Sequence, residues 1–106
     1  MTSKIFDLFG VESATVGSVA RIVAERTGLA LSLHDSDARG GEYYRTGVGD
    51  RPEIIVQANA TDEPDSLAEK GFPSFSVLIY LNYGTLELRD KLSTFEELAV
   101  LRNEDL

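Results

Sequence analysis

The stretch Phe72-Pro-Ser-Phe-Ser-Val-Leu-Ile-Tyr-Leu-Asn82 is the longest run in the chain that is both strongly apolar and rich in β-forming residues. It reads as a central strand over 74–82. Side chains alternate along a strand, so Phe75, Val77, Ile79 and Leu81 are expected on one face and Leu78 and Tyr80 on the other. A strand that is apolar on both faces is normally covered on both. With 106 residues in all, the chain is expected to be a single domain, 1–106, whose one core hides about two-thirds of the unfolded surface.

The segments around this strand supply its neighbours. Lys4-Ile-Phe-Asp-Leu-Phe9 reads as a short amphipathic turn ending at Gly10, with Ile5, Phe6 and Phe9 inward. Val16, Val19, Ala20 and Val23 recur at helical spacing, so residues 14–27 read as an amphipathic helix. Ser13 or Thr15 can cap its start, and Arg26 followed by Gly28 is a stop signal. Leu29, Leu31 and Leu33 then switch to a two-residue period, as a strand does. Glu42–Thr46 and Glu53–Asn59 read as two further strands paired as a hairpin across the turn Gly47-Val-Gly-Asp-Arg-Pro52. Residues 60–73 form a long acidic connection, and loops of such length in a small domain are usually functional or disordered. Beyond Tyr83-Gly84, residues 85–92 fit a helix through Leu88 and Leu92, or a return strand through Leu86 and Leu88; the helix is preferred. Ser93 with Glu96 matches a capping box, while Leu98–Arg102 would also serve as an edge strand. The expected fold is therefore α+β: an antiparallel sheet of about four strands, with an N-terminal amphipathic helix packed on it and a possible C-terminal helix.

Charge narrows the range of partners. Ten basic against eighteen acidic residues give a formal net charge of −8, and residues 51–106 hold eleven of the acidic groups. General binders of nucleic acid or anionic membranes use basic surfaces, so neither partner is expected, and a basic protein is the natural complement. A net charge of this sign also simply keeps a small protein in solution. There is no cysteine, which removes disulfides, thiolate metal sites and cysteine nucleophiles. The N-terminus lacks the apolar core of a signal peptide and no apolar run is long enough to span a bilayer, so the expected location is the cytoplasm.

Candidate chemistry is sparse. His34 is the single histidine, and its neighbours Asp35 and Asp37 give it the outline of a hydrolytic or metal site. Clustered polar residues of this kind in a loop are more often solvated. The series Asp35, Asp37, Gly40 opens like a calcium loop, but Thr46 stands where the bidentate glutamate belongs, so calcium binding of that type is rejected. Glu42, Tyr44 and Thr46 share one strand face and Tyr43 and Arg45 the other; cross-strand packing and surface ion pairing account for them more simply than a site. Gln57 and Asn59 share a face of the next strand. No dinucleotide, phosphate-loop or nucleophile-elbow motif occurs. No catalytic residue, metal or cofactor is therefore expected, with a small hydrolytic enzyme using His34, Glu42 and Tyr44, or a ligand-binding or regulatory domain with an apolar pocket beside the sheet, as the alternatives.

Gly40-Gly-Glu-Tyr-Tyr-Arg45, then Ile54-Ile-Val-Gln-Ala-Asn59 running into an acidic loop, then Phe72-Pro with Val77-Leu-Ile-Tyr-Leu81, together resemble small bacterial immunity proteins encoded beside polymorphic or contact-dependent growth inhibition toxins. The resemblance covers about residues 29–83. It implies a toxin inhibitor that binds a cognate, basic toxin domain in the cytoplasm and blocks it by protein–protein interaction, with no enzymatic activity of its own. The partner-binding residues then expected are Asp62, Glu63, Asp65 and Glu69 of the acidic connection, with Glu42 and Tyr44 of the hairpin.

Overall fold

The computed structural model describes residues 5–46, 52–61, 63 and 66–105. In chain order these form β1 (Ile5–Val11), α1 (Val16–Thr27), β2 (Ser32–Ser36), a single 3₁₀ turn (Asp37–Arg39), β3 (Gly41–Arg45), β4 (Glu53–Ala58), β5 (Val77–Gly84), α2 (Leu86–Ser93) and β6 (Ala99–Asp105). The described strands make one six-stranded antiparallel sheet in the order β2-β3-β4-β5-β1-β6. The α+β class holds, and the sheet is larger than the four strands expected.

The two extra strands come from segments with mixed signals. Residues 4–9 were expected to form an amphipathic turn, but residues 5–11 are β1, lying between β5 and β6 with Phe9 opposite both Ile79 and Val100. Ile5, Asp7, Phe9 and Val11 form its inward set, in strict alternation with Phe6, Leu8 and Gly10. Asp7 hides this pattern, because a carboxylate at an inward position is tolerated only when a distant cation pairs with it. The Ser93/Glu96 capping pattern starts no helix: α2 ends at Ser93, and the chain turns through Phe95 into the edge strand β6.

Elsewhere the local signals hold with shifted boundaries. Thr15 caps α1, its Oγ1 accepting from the Ser18 amide at 3.2 Å while Ser18 Oγ accepts from the Thr15 amide at 3.3 Å. Gly28 ends the helix at φ 75°, a left-handed conformation that suits glycine. Residues 85–92 resolve as helix because Thr85 Oγ1 caps the start of α2 by accepting from the Leu88 amide at 3.2 Å. The strand expected at 29–33 begins at Ser32 instead; Leu29 and Leu31 pack against the core ahead of it, and Leu33 is 53% exposed. The hairpin of β3 with β4 pairs Tyr44 with Val56 and Arg45 with Ile55, while its turn at 47–51 lies outside the described residues. The central strand is interior as expected, but it starts at Val77, because the Phe75 amide donates to the Phe72 carbonyl at 3.3 Å in a turn.

Both helices lie on one face of the sheet, and the topology explains why. From the antiparallel order, β1 and β2 run parallel to each other, as do β5 and β6; α1 joins the first pair and α2 the second. The two connections leave strands of opposite direction and cross the sheet in opposite senses. Two crossovers of the same hand then place their helices on the same side, and right-handed crossovers are nearly universal. On that side Val19 and Val23 of α1 and Leu92 of α2 meet Phe9, Ile54, Val56, Ile79 and Leu81, all at most 2% exposed. Each such side chain contributes about 1.5–3 kcal/mol through burial. Among the described residues the opposite face carries no α-helix, and it holds the groups described next. Among the described residues, no helix is long and apolar enough to cross a membrane.

Candidate functional site

The face of the sheet away from the helices divides into an apolar half and a polar half. Strand alternation puts Leu8 and Gly10 of β1 and Leu78 of β5 on its apolar half, where Gly10 and Leu78 are paired. The connection after β4 folds back over this half. A Cβ placed on Gly10 would stand 2.8 Å from the Phe75 ring and 2.8 Å from Leu101, so both side chains fill the space that glycine leaves. Phe75 was expected inward beside Val77; it covers the second face instead, because the strand begins after it. Phe72 packs edge-on against it, with ring centroids 6.5 Å apart.

Asn59 holds that connection in place. Its Nδ2 donates to the carbonyls of Phe72 and Phe75, both at 3.0 Å, and its Oδ1 accepts from the Glu69 amide at 2.8 Å. A 6% exposed amide at the end of β4 thus satisfies three backbone groups of the covering segment. Tyr80 completes the attachment by donating to Glu69 Oε2 at 2.6 Å, and Arg102 of β6 lies 3.4 Å from Glu69 Oε1. Burial of the phenol, followed by its bond to the Glu69 carboxylate, raises the Tyr80 pKa well above the ordinary tyrosine value.

The polar half, over β2 to β5, is open to solvent and holds a cavity of about 480 Å³ lined in part by Arg39, Glu53, Ile55, Gln57, Tyr80 and Asn82. Arg39, from the 3₁₀ turn, donates from Nη1 to Gln57 Oε1 at 2.7 Å and lies over the Tyr43 ring at 5.3 Å. His34 stacks on Tyr43 with centroids 5.5 Å apart. Glu53 receives Arg45 Nη2 at 2.5 Å on one oxygen and Asn82 Nδ2 at 2.9 Å on the other. One arginine here is neutralised by a carboxylate. The other, Arg39, meets only neutral partners among the described residues.

The residues singled out in the sequence do not converge on this cavity. His34 is paired with Tyr43 on the open face, whereas Tyr44 is paired with Val56 and Leu33 on the helix face. Glu42, two residues from Tyr44, shares that helix face and is exposed. His34 and the pair Glu42/Tyr44 therefore stand on opposite sides of the sheet and cannot act together on one bond. Tyr44 packs against the core beside α1, where it borders a smaller cavity of about 210 Å³ with Ala20, Ala24 and Leu31. Glu69, expected among the partner-binding residues of the acidic connection, is held by Tyr80 and Arg102. Glu63 is exposed. Asp62 and Asp65 lie outside the described residues.

Sequence reading missed Arg39, Glu53, Tyr80 and Asn82 as a group. The signal that was present is Gln57, a polar residue inside Ile-Ile-Val-Gln-Ala that turns out to be 3% exposed; buried amides of this kind are expected to have a partner.

Charge gathers at one end of the molecule. Asp35 of β2 lies directly opposite Glu42 of β3, and both are exposed. Asp37 follows in the 3₁₀ turn, also exposed, and none of the three has a cation partner among the described residues. The next residue but two, Gly40, packs on the start of the acidic connection: a Cβ there would stand 3.0 Å from the Ala60 Cβ, and the backbone has φ 80°. The β2–β3 turn and the segment that leads to Glu63 are thus neighbours. The chain matches no family model, no curated protein and no solved structure.

Proposed function

We propose that this domain is an immunity protein, which binds and neutralises a cognate, basic bacterial toxin domain in the cytoplasm and has no catalysis of its own. One observation supports this reading above the others: Asp35, Asp37 and Glu42 stand exposed, with no cation partner among the described residues, beside the root of a second acidic segment. Like charges placed directly across a strand pair weaken the pair. A fold that keeps Asp35 against Glu42 is better accounted for by a basic surface that neutralises them on binding than by a contribution to the fold. Electrostatic complementarity of this sort raises association rates and selects partners. The hydrolytic alternative loses its geometric basis with His34 on one face and Glu42 and Tyr44 on the other.

Co-expression with the product of the adjacent gene tests the reading. A stable complex on co-purification, together with rescue of cells from that product, supports it. If the adjacent product is harmless, or if the two proteins elute separately at low salt, the assignment fails.

A further inference from the structure

We infer that the cavity around Arg39 binds a small monocarboxylate whose body carries a neutral hydrogen-bonding group and a short apolar portion.

In a chain of net charge −8, cations easily find carboxylates, and Arg45 has Glu53, Arg89 has Asp7, and Arg102 has Glu69. Arg39 has none among the described residues, although it is only partly exposed. Its guanidinium is nevertheless held in place: Gln57 fixes one nitrogen at 2.7 Å, and Tyr43 supports the plane at 5.3 Å. Gln57 is itself buried and Tyr43 is backed by His34. A fixed guanidinium with most of its N–H groups unspent among the described residues is a preorganised fork for a planar anion, because little side-chain entropy remains to be lost on binding.

The rest of the lining selects the kind of anion. Glu53 borders the same cavity and its charge is offset by Arg45, so the cavity has a net charge of about one positive unit, supplied by Arg39. A monoanion matches that charge; a phosphate dianion would leave one negative charge uncompensated beside Glu53 and near the Glu69 that Tyr80 holds. A carboxylate can also take two parallel bonds from one guanidinium. Beyond the fork, Ile55 and Ala38 offer apolar surface, and the Asn82 amide offers a neutral polar partner. The volume of about 480 Å³ falls in the range usual for small-molecule sites.

The test is an amide-detected NMR titration of the isolated domain with N-acetyl-leucine, set against N-acetyl-leucinamide and inorganic phosphate. The expected result is saturable shifts at the Arg39 Nε–H and at the side-chain amides of Gln57 and Asn82, with the carboxylate only. Arg39→Gln should weaken binding by about ten- to hundredfold, the loss expected for a charge-assisted bidentate contact. Since Arg39→Gln could disturb the turn, Ala38→Phe serves as a second variant: it keeps the arginine, fills the cavity, and should abolish the shifts with the melting temperature unchanged. Equal shifts with the carboxamide, stronger binding of phosphate, or binding that survives both variants would overturn the assignment. Absence of any saturable shift in the wild type overturns it as well, without touching the proposed toxin complex.

Discussion

Arg89 of α2 donates two hydrogen bonds to the carboxylate of Asp7 in β1, each 2.8 Å long, across 82 residues of chain. The Asp7 side chain is fully buried and Arg89 is 16% exposed, and Asp105 of β6 also takes a bond from the guanidinium. This cluster ties the second helix to the sheet. The hydrogen bond to Asp7, then that to Asp105, raises the Arg89 pKa, and the bond from Arg89 holds the Asp105 carboxyl below its ordinary value. Arg89→Ala leaves a buried carboxylate without its counter-ion and should cost about 3–5 kcal/mol in denaturant unfolding. Asp7→Leu combined with Arg89→Met should cost much less than Arg89→Ala alone. Equal losses would mean that packing, not charge, accounts for the effect.

Ile79 is fully buried in the interior strand, between Phe9 of β1 and Val56 of β4. Ile79→Asp places a carboxylate there with no cation to receive it, and a loss of about 4 kcal/mol or more is expected. In a domain of this size that is enough to unfold most molecules. Circular dichroism at room temperature should show the loss directly, and a wild-type melting curve would remove β5 from the centre of the core.

What could be read in the sequence was whatever depended on neighbours along the chain. The caps of α1, the helical spacing of Val16, Val19, Ala20 and Val23, and the apolar run at 77–81 are local, and each corresponds to an element of the structure. β1 was missed because Asp7 makes sense only through Arg89, and a partner so far along the chain leaves no local trace. The site was less legible still. Arg39 reaches Gln57 because β3 pairs with β4 and the 3₁₀ turn folds over that pair, which depends on register. Glu69 was grouped with the partner-binding acids of the connection, and its bond from Tyr80 depends on how that connection folds back over the sheet.

Asn59 offers a test of that covering connection. Asn59→Leu removes two donors and one acceptor, and leaves the Phe72 and Phe75 carbonyls and the Glu69 amide without their partner. The expected cost is about 2–4 kcal/mol. Hydrogen exchange should rise first at Glu69 and through residues 66–76, while amides of α1 stay protected. Uniform loss of protection across the sheet would mean that the connection and the sheet open as one unit.

Tyr80 gives the fold a dependence on alkaline pH. Its folded pKa is raised, first by burial and then by the bond to Glu69. The phenol therefore keeps its proton in the folded state when it would lose it in the unfolded chain. Its contribution is fully present below the unfolded value of about 10 and declines as pH rises through and beyond it. Wild type should lose stability faster than Tyr80→Phe between neutral and strongly alkaline pH. Parallel curves for the two proteins would show that the phenol is not held as described.

Glu42 separates the demands of folding from those of binding. It faces Asp35 directly across the β2–β3 ladder, both exposed. Glu42→Lys turns a repulsive cross-strand pair into an attractive one, so the variant should be more stable than wild type by about 0.2–1 kcal/mol. The same change removes one negative charge and adds a positive one at the end of the molecule proposed to meet a basic partner. Association should slow as a result, and the difference from wild type should shrink as salt is raised, since screening weakens steering between exposed charges. Asp35→Lys should act in the same direction on both quantities, and Glu63→Lys should slow association without the gain in stability. Stopped-flow association at low and high salt, paired with thermal melts of the free proteins, reads both quantities. Faster or unchanged association in Glu42→Lys and Asp35→Lys would remove the β2–β3 end from the interface. A loss of stability in Glu42→Lys would show that the Asp35–Glu42 repulsion is already relieved within the fold.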